Sequence, residues 1–165
     1  MIRDEEFEQL FDGCFARCER LAQRIVHDPS LAEELAAEAF ARAWSRWSRL
    51  RHEKPEGWLL RVTANLAVDT TRRQRPAVDP VAPPRGPADI ATLHVALMAA
   101  LQKLSRRQRE AIVLRYLAGL SESEVSASLG VSAGSVKTHI HRGMAHLRSS
   151  LGTNDDLEVS LALEP

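Results

Sequence analysis

Before its last dozen residues the chain places its apolar side chains at three- and four-residue intervals, the signature of helices packed along one face. Phe7, Leu10, Phe11, Cys14, Phe15, Cys18, Leu21, Ile25 and Val26 predict one long amphipathic helix. Asp28-Pro29 then supplies an N-cap and a proline at the first helical position. The helix it opens runs to about Trp47, with Leu31, Leu35, Phe40, Ala43, Trp44 and Trp47 inward. A charged break from Arg51 to Pro55 precedes a third helix that opens near Glu56. Its apolar side carries Trp58, Leu59, Val62, Leu66 and Ala67, its other side Arg61, Asn65 and Asp69, and it ends in Arg72, Arg73 and Arg75.

Five of the eight prolines fall in residues 76–88, PAVDPVAPPRGPA, which cannot hold a helix and reads as an extended linker. Thirteen residues at about 3.1 Å each reach roughly 40 Å, more than one ~34 Å turn of duplex DNA. Beyond it, Leu93, Leu97, Ala100, Leu101 and Leu104 stripe a helix from Ile90 to Leu104. Ser105 and Gln108 have the spacing of a capping box, and Ile112, Val113, Tyr116 and Leu117 face inward on a helix that Gly119 ends. The expected fold is all-α, two small helical domains (residues 1–75 and 89–151) joined by a linker at 76–88 and followed by an acidic tail, 152–165.

Residues 120–148, LSESEVSASLGVSAGSVKTHIHRGMAHLR, carry the clearest chemistry. Ser121 and Glu124 predict a capping box, Gly130 a left-handed residue past a helix end, and Ser132 the next N-cap. Val136, Ile140, Met144 and Leu147 form one stripe, and Ser135, Lys137, Thr138, His139 and Arg142 fall off it. The second helix has no carboxylate from Ala133 to Ser149, whereas a merely solvated face mixes both signs. Hydroxyls, a cation and an imidazole on such a face suit phosphates and base edges in a major groove. Ser126 stands where helix-turn-helix proteins usually carry alanine, and is small enough to preserve the packing.

The net charge is zero, but it is distributed in blocks. Residues 1–40 hold four Lys/Arg against ten Asp/Glu, 41–75 nine against three, 76–152 nine against five, and 153–165 none against four. Two basic blocks separated by a linker point to two contacts with nucleic acid, while the acidic start faces protein or solvent. Cys14 and Cys18, four apart on one helix, read as core residues rather than a disulfide or a zinc pair. No apolar run approaches a membrane span, and MIRDEEFEQL has no signal-peptide core, so a cytoplasmic location is expected. No nucleophile, base and orienter set and no metal-ligand spacing appears, so neither catalysis nor a cofactor is expected.

Two segments carry a family resemblance. WLLRVTANLAVDTTRRQR, Trp58 to Arg75, resembles the helix of sigma region 2 that reads and opens the −10 promoter element. LSRRQREAIVLRYLAGLSESEVSASLGVSAGSVKTHIHRGMAHLR, Leu104 to Arg148, is similar to region 4, which reads the −35 element. In this order, with a proline-rich linker between, they resemble the extracytoplasmic-function group of sigma-70-type initiation factors. The C-terminal segment alone equally resembles LuxR-type regulators, but residues 1–75 show neither strands nor a phosphoacceptor pattern. A helical adaptor or anti-sigma module would lack two basic patches. The resemblance implies docking of core RNA polymerase on AEELAAEAFARAW, through Glu33, Glu34, Leu35, Glu38, Phe40 and Trp44. It implies promoter DNA contacts at Arg61, Asn65, Arg72 and Arg73 for the −10 element, and at Ser132, Ser135, Lys137, Thr138, His139 and Arg142 for the −35 element. Ala37 replaces a glutamine common in the family, and His139 a basic residue. An anti-sigma factor is a further candidate partner, and a role for the tail in screening the C-terminal DNA face is set against a tail with no role.

Overall fold

The computed structural model of the chain describes residues 2–74 and 90–152, so the expected linker at 76–88 and all of the expected tail at 152–165 except Gly152 lie outside the described residues. The described residues form helices and no strand, arranged as two small helical domains. The first holds α1 (Ile2–Val26), α2 (Pro29–Ser45), the single turn α3 (Trp47–Leu50) and α4 (Pro55–Gln74). The second holds α5 (Ile90–Lys103), α6 (Arg106–Ile112), α7 (Glu122–Leu129) and α8 (Ala133–Leu151). One π-helical turn, Val113–Leu117, continues α6.

In the first domain α1, α2 and α4 pack pairwise around Cys14, Cys18, Leu21, Ile25, Leu35, Phe40 and Leu59. The Asp28 carboxylate accepts from Leu31 N at 3.1 Å, and Pro29 opens α2, as the cap and proline pattern predicts. The two cysteines are free and buried with sulfurs 3.9 Å apart. The hydrogen bond to Cys18, together with burial, holds the Cys14 thiol far above the ordinary thiol range, so it stays protonated and packs as a small hydrophobe.

Three expectations about this domain change. The second helix ends at Ser45, and Trp47 belongs to α3. Trp47 is buried, but Trp44 is 43 % exposed and lies against Phe7 with ring centres 4.9 Å apart. On α4 the buried line is Leu59, Leu60, Thr63, Ala64, Ala67 and Val68, while Trp58, Val62 and Leu66 are only half-buried. The buried line thus extends past the expected stripe at Leu60, Thr63, Ala64 and Val68, while Leu59 and Ala67 are buried as expected.

In the second domain Ser105 caps α6 by accepting from Gln108 N at 3.4 Å. The expected return bond is not made: the Gln108 carbonyl oxygen is buried without a partner. Gly143 lets α8 cross α6, because a Cβ there would meet Ile112 Cδ1 at 2.5 Å and Gln108 Cβ at 3.3 Å.

Candidate nucleic-acid interface

The helix-turn-helix is built from the sequence's own punctuation. Ser121 Oγ accepts from Glu124 N at 3.2 Å and Glu124 accepts from Ser121 N at 2.7 Å, a complete capping box. The bonds from Ser121 hold the Glu124 carboxyl below the usual carboxylate range. Gly130 takes φ +65°, the left-handed geometry that lets the chain reverse after α7. Ser126 Oγ donates to Val131 O at 2.6 Å, so the serine in place of the usual alanine ties the turn together. Ser132 caps α8 by accepting from Ser135 N at 3.1 Å.

On α8, Val136, Met144 and Leu147 are buried and Ile140 is half-buried. Ser132, Lys137, Thr138 and Arg142 are exposed, with Ser135 and His139 half-exposed beside them. One feature of this face comes from another helix: Glu122 of α7 stands 3.8 Å from the Lys137 ammonium. At the first turn of α8 the backbone N–H groups and the helix dipole favour an anion such as phosphate.

The N-terminal basic surface is more complicated. Arg73 is exposed, whereas the side chain of Arg72 and all of Arg75 lie outside the described residues. Arg61 and Asn65 are half-buried and engaged by the C-terminal domain. Arg61 donates to Ser128 O at 2.9 Å, and Asn65 Nδ2 donates to Glu110 Oε1 at 2.8 Å. Glu110 is a fully buried carboxylate that also accepts from Arg106 at 3.1 Å and Arg107 at 3.2 Å. Burial pushes its carboxyl up, but the bonds from Asn65 and Arg106 and the charges of Arg106 and Arg107 prevail, holding it below the usual range.

Beside this contact lies a cleft of about 370 Å³, walled by Arg42 of α2, Arg46 just past its end, Trp58 and Asp69 of α4, and Arg106 and Arg109 of α6. Sequence reasoning missed Arg106, Arg109 and Glu110. The run SRRQRE was their only trace, and nothing local says which helix it meets.

On α2, Glu33, Glu34, Glu38 and Trp44 are exposed. Leu35 and Phe40 are buried, so they support that surface from beneath rather than lie on it. Arg42 pairs with Glu38 at 2.7 Å, the loop before α4 is held by Arg51–Glu6 at 3.1 Å, and the first turn of α4 by Arg17–Glu56 at 3.2 Å. No cluster of metal-ligating side chains occurs among the described residues, and none of their helices is long and apolar enough to cross a membrane.

Residues 13–77 match the family model Sigma-70 region 2, and residues 94–147 match Sigma-70, region 4. The chain is 36% identical over 142 residues to an RNA polymerase sigma-E factor of Streptomyces coelicolor, covering 82% of this chain and 80% of the relative. It is 34% identical over 170 residues to RNA polymerase sigma factor CarQ of Myxococcus xanthus, covering 96% and 94%. Among solved structures, CnrH in complex with the cytosolic domain of CnrY matches with TM-score 0.56 and 27% identity over 90% of this chain and 89% of that one. The fold is also that of sigma factor RpoE from Bartonella quintana in complex with the anti-sigma factor NepR, at TM-score 0.56 and 22% identity over 92% and 99%.

Proposed function

We propose, from the premise that this chain belongs to the extracytoplasmic-function group of sigma-70 initiation factors, a division of labour between its two domains. Such factors bind core RNA polymerase and direct it to promoters, which is the role of this chain. Residues 1–75 form the unit that holds polymerase and reads the −10 element, and residues 89–151 the unit that reads the −35 element. The chain acts as an initiation factor rather than an enzyme, in the cytoplasm where polymerase works.

The observation that carries this reading is the pair of capped helix starts that hold α8 with Lys137, Thr138 and Arg142 outward. Insertion of α8 into the major groove brings Ser135, Lys137, Thr138, His139 and Arg142 to base edges and the Ser132 cap to a phosphate. Arg61, Asn65, Arg72 and Arg73 contact the −10 element, Asn65 being able to make paired bonds to a base edge. Core polymerase docks on α2 around Glu33, Glu34, Glu38 and Trp44, with Leu35 and Phe40 beneath. An anti-sigma factor is proposed as a further partner, since RpoE is seen with the anti-sigma factor NepR and CnrH with the cytosolic domain of CnrY.

The test is co-purification with core polymerase followed by run-off transcription from a promoter selected with the assembled holoenzyme. A chain that associates with core yet gives no promoter-dependent transcript overturns the reading. Within that assay, Lys137→Ala and Arg142→Ala should each weaken promoter use. A lost base contact costs roughly 1–3 kcal/mol and relaxes specificity at that base pair, whereas a lost phosphate contact lowers affinity uniformly and reduces the salt slope by about one. Unchanged transcription from both variants removes α8 from promoter recognition.

A further inference from the structure

Lys137, on the outward side of α8, faces a carboxylate that α8 does not supply. Glu122 Oε2 stands 3.8 Å from the Lys137 ammonium, with 44% and 69% of the two side chains exposed. Glu122 is the first residue of α7, directly after the Ser121 cap, and α8 has no acid of its own from Ala133 to Ser149. The neighbouring Glu124 is committed to the cap, where it accepts from Ser121 N at 2.7 Å.

Stability does not account for this pair. An exposed ion pair contributes little, and 3.8 Å is longer than a charge-assisted hydrogen bond of about 2.7–2.9 Å. On a surface that meets phosphates, a carboxylate also weakens binding to every sequence. What the pair offers is a pattern: three donors on Lys137 beside an acceptor-only group on Glu122. In the major groove a G·C pair presents the guanine acceptors N7 and O6 beside the amino donor of cytosine. A lysine over the guanine therefore places the neighbouring carboxylate toward the cytosine amine. The other pairs fit worse. Adenine in place of guanine sets the thymine O4 acceptor before the carboxylate, and a reversed pair sets the cytosine amine against the lysine and the guanine acceptors against the carboxylate. Thymine in place of guanine offers the lysine one acceptor and a methyl group instead of two acceptors.

We propose that Glu122 is a specificity-determining residue of the −35 reader: its carboxylate accepts from the cytosine amine of a G·C pair while Lys137 donates to the guanine O6 and N7 of the same pair. The inference rests on the assignment of α8 to the −35 element. Glu122 acts in two ways. It adds a bond that the correctly oriented pair supplies, and it repels the acceptors that the wrong pairs set before it. It thus lowers affinity for DNA in general and raises the ratio between sequences. The two helices of the helix-turn-helix then share one reading unit, the acid coming from α7 and the cation from α8.

The test is a promoter library randomised across the −35 element and bound to holoenzyme assembled from core polymerase with the wild-type chain, Glu122→Gln or Lys137→Ala. The wild type should favour G·C over A·T by roughly ten-fold or more at one position, and Lys137→Ala should relax that position. Glu122→Gln keeps the size of the side chain but removes its charge and adds a donor, so it should cut the same discrimination by about five-fold or more. Its affinity for unrelated duplex at low salt should rise, because a charge that repels phosphate is gone. Preferences at the other −35 positions should stay unchanged. A merely weakened helix start would lower affinity for all sequences together, so preference at one base pair separates reading from structure.

A Glu122→Gln holoenzyme that binds every −35 sequence more tightly with an unchanged preference makes Glu122 a repulsive charge only and overturns the proposal. Relaxation at a different position from the one that Lys137→Ala relaxes, or a wild-type preference for another base pair at that position, overturns it equally. Arg142→Ala, measured in parallel, tests the assignment beneath. A relaxed Lys137→Ala beside a silent Glu122→Gln sinks the shared reading unit and leaves α8 as the −35 reader. Unchanged −35 preferences in both Lys137→Ala and Arg142→Ala sink that assignment, and the proposal with it.

Discussion

Asn65→Ala is expected to cut promoter-dependent transcription by one to two orders of magnitude while leaving assembly with core polymerase intact or improved. A good paired contact to a base contributes about 1–3 kcal/mol of discrimination, and each 1.4 kcal/mol is roughly ten-fold. The same amide holds Glu110 in the closed arrangement, and a hydrogen bond to a charged group contributes roughly 1.5–3 kcal/mol. Loss of the side chain should therefore loosen the domain contact and remove the proposed DNA contact at once. Holoenzyme assembly reports the first effect, and permanganate reactivity of thymines in the opened strand reports the second. Arg61→Ala should follow the same pattern, since its guanidinium is likewise shared between Ser128 O and the proposed DNA site. Normal strand opening by both variants, scored by permanganate, would remove α4 from −10 recognition.

The sequence stated some of this plainly and hid the rest for a physical reason. Helix ends are local: Asp28-Pro29, Ser121 with Glu124, Gly130 and Ser132 act within four residues of themselves, and each appears as its spacing predicts. The outward set on α8 follows from one stripe, because α8 packs on its own domain and leaves the other side open. α4 was harder to read. It packs on α1 and α2 on one side and on the C-terminal domain on another, so no single stripe marks its core. Trp58, Leu59, Val62, Leu66 and Ala67 suggest one inward face; Leu59 and Ala67 are buried as expected, but Leu60, Thr63, Ala64 and Val68 complete the buried line and Trp58, Val62 and Leu66 are only half-buried. Arg61 and Asn65 lie off that stripe and read as free for DNA. Their pairing with Ser128 and Glu110 depends on how two surfaces far apart in sequence meet, and no local spacing encodes that. The half-made box at Ser105 has a similar origin, since the Gln108 carbonyl sits in packing that its own helix does not determine.

The tryptophans give the second large effect and separate fold from docking. Trp47→Ala should destabilise the N-terminal domain by about 3–5 kcal/mol, the usual cost of emptying a buried aromatic site. Trp47 is 3% exposed and meets Phe7 edge-on with ring centres 5.1 Å apart, so its removal leaves a cavity among α1, α2 and α3. For a domain of this size each 1 kcal/mol shifts the melting temperature by roughly 4–8 °C, so the loss should exceed about 12 °C. Trp44 is 43% exposed, and its contact with Phe7 is an aromatic pair of the kind worth about 0.5–1.5 kcal/mol. Trp44→Ala should therefore leave the melting temperature within several degrees of wild type. Under the proposed docking of polymerase on α2, its effect should fall on affinity for core: a tryptophan anchor in an interface contributes about 2 kcal/mol or more, a loss of roughly thirty-fold. Thermal unfolding by circular dichroism and titration against core polymerase, on the same two samples, read the two effects separately. Trp44→Ala with wild-type affinity for core would move the docking face off this side of α2. A Trp47→Ala chain melting at the wild-type temperature would contradict the packing that holds α3 under α1.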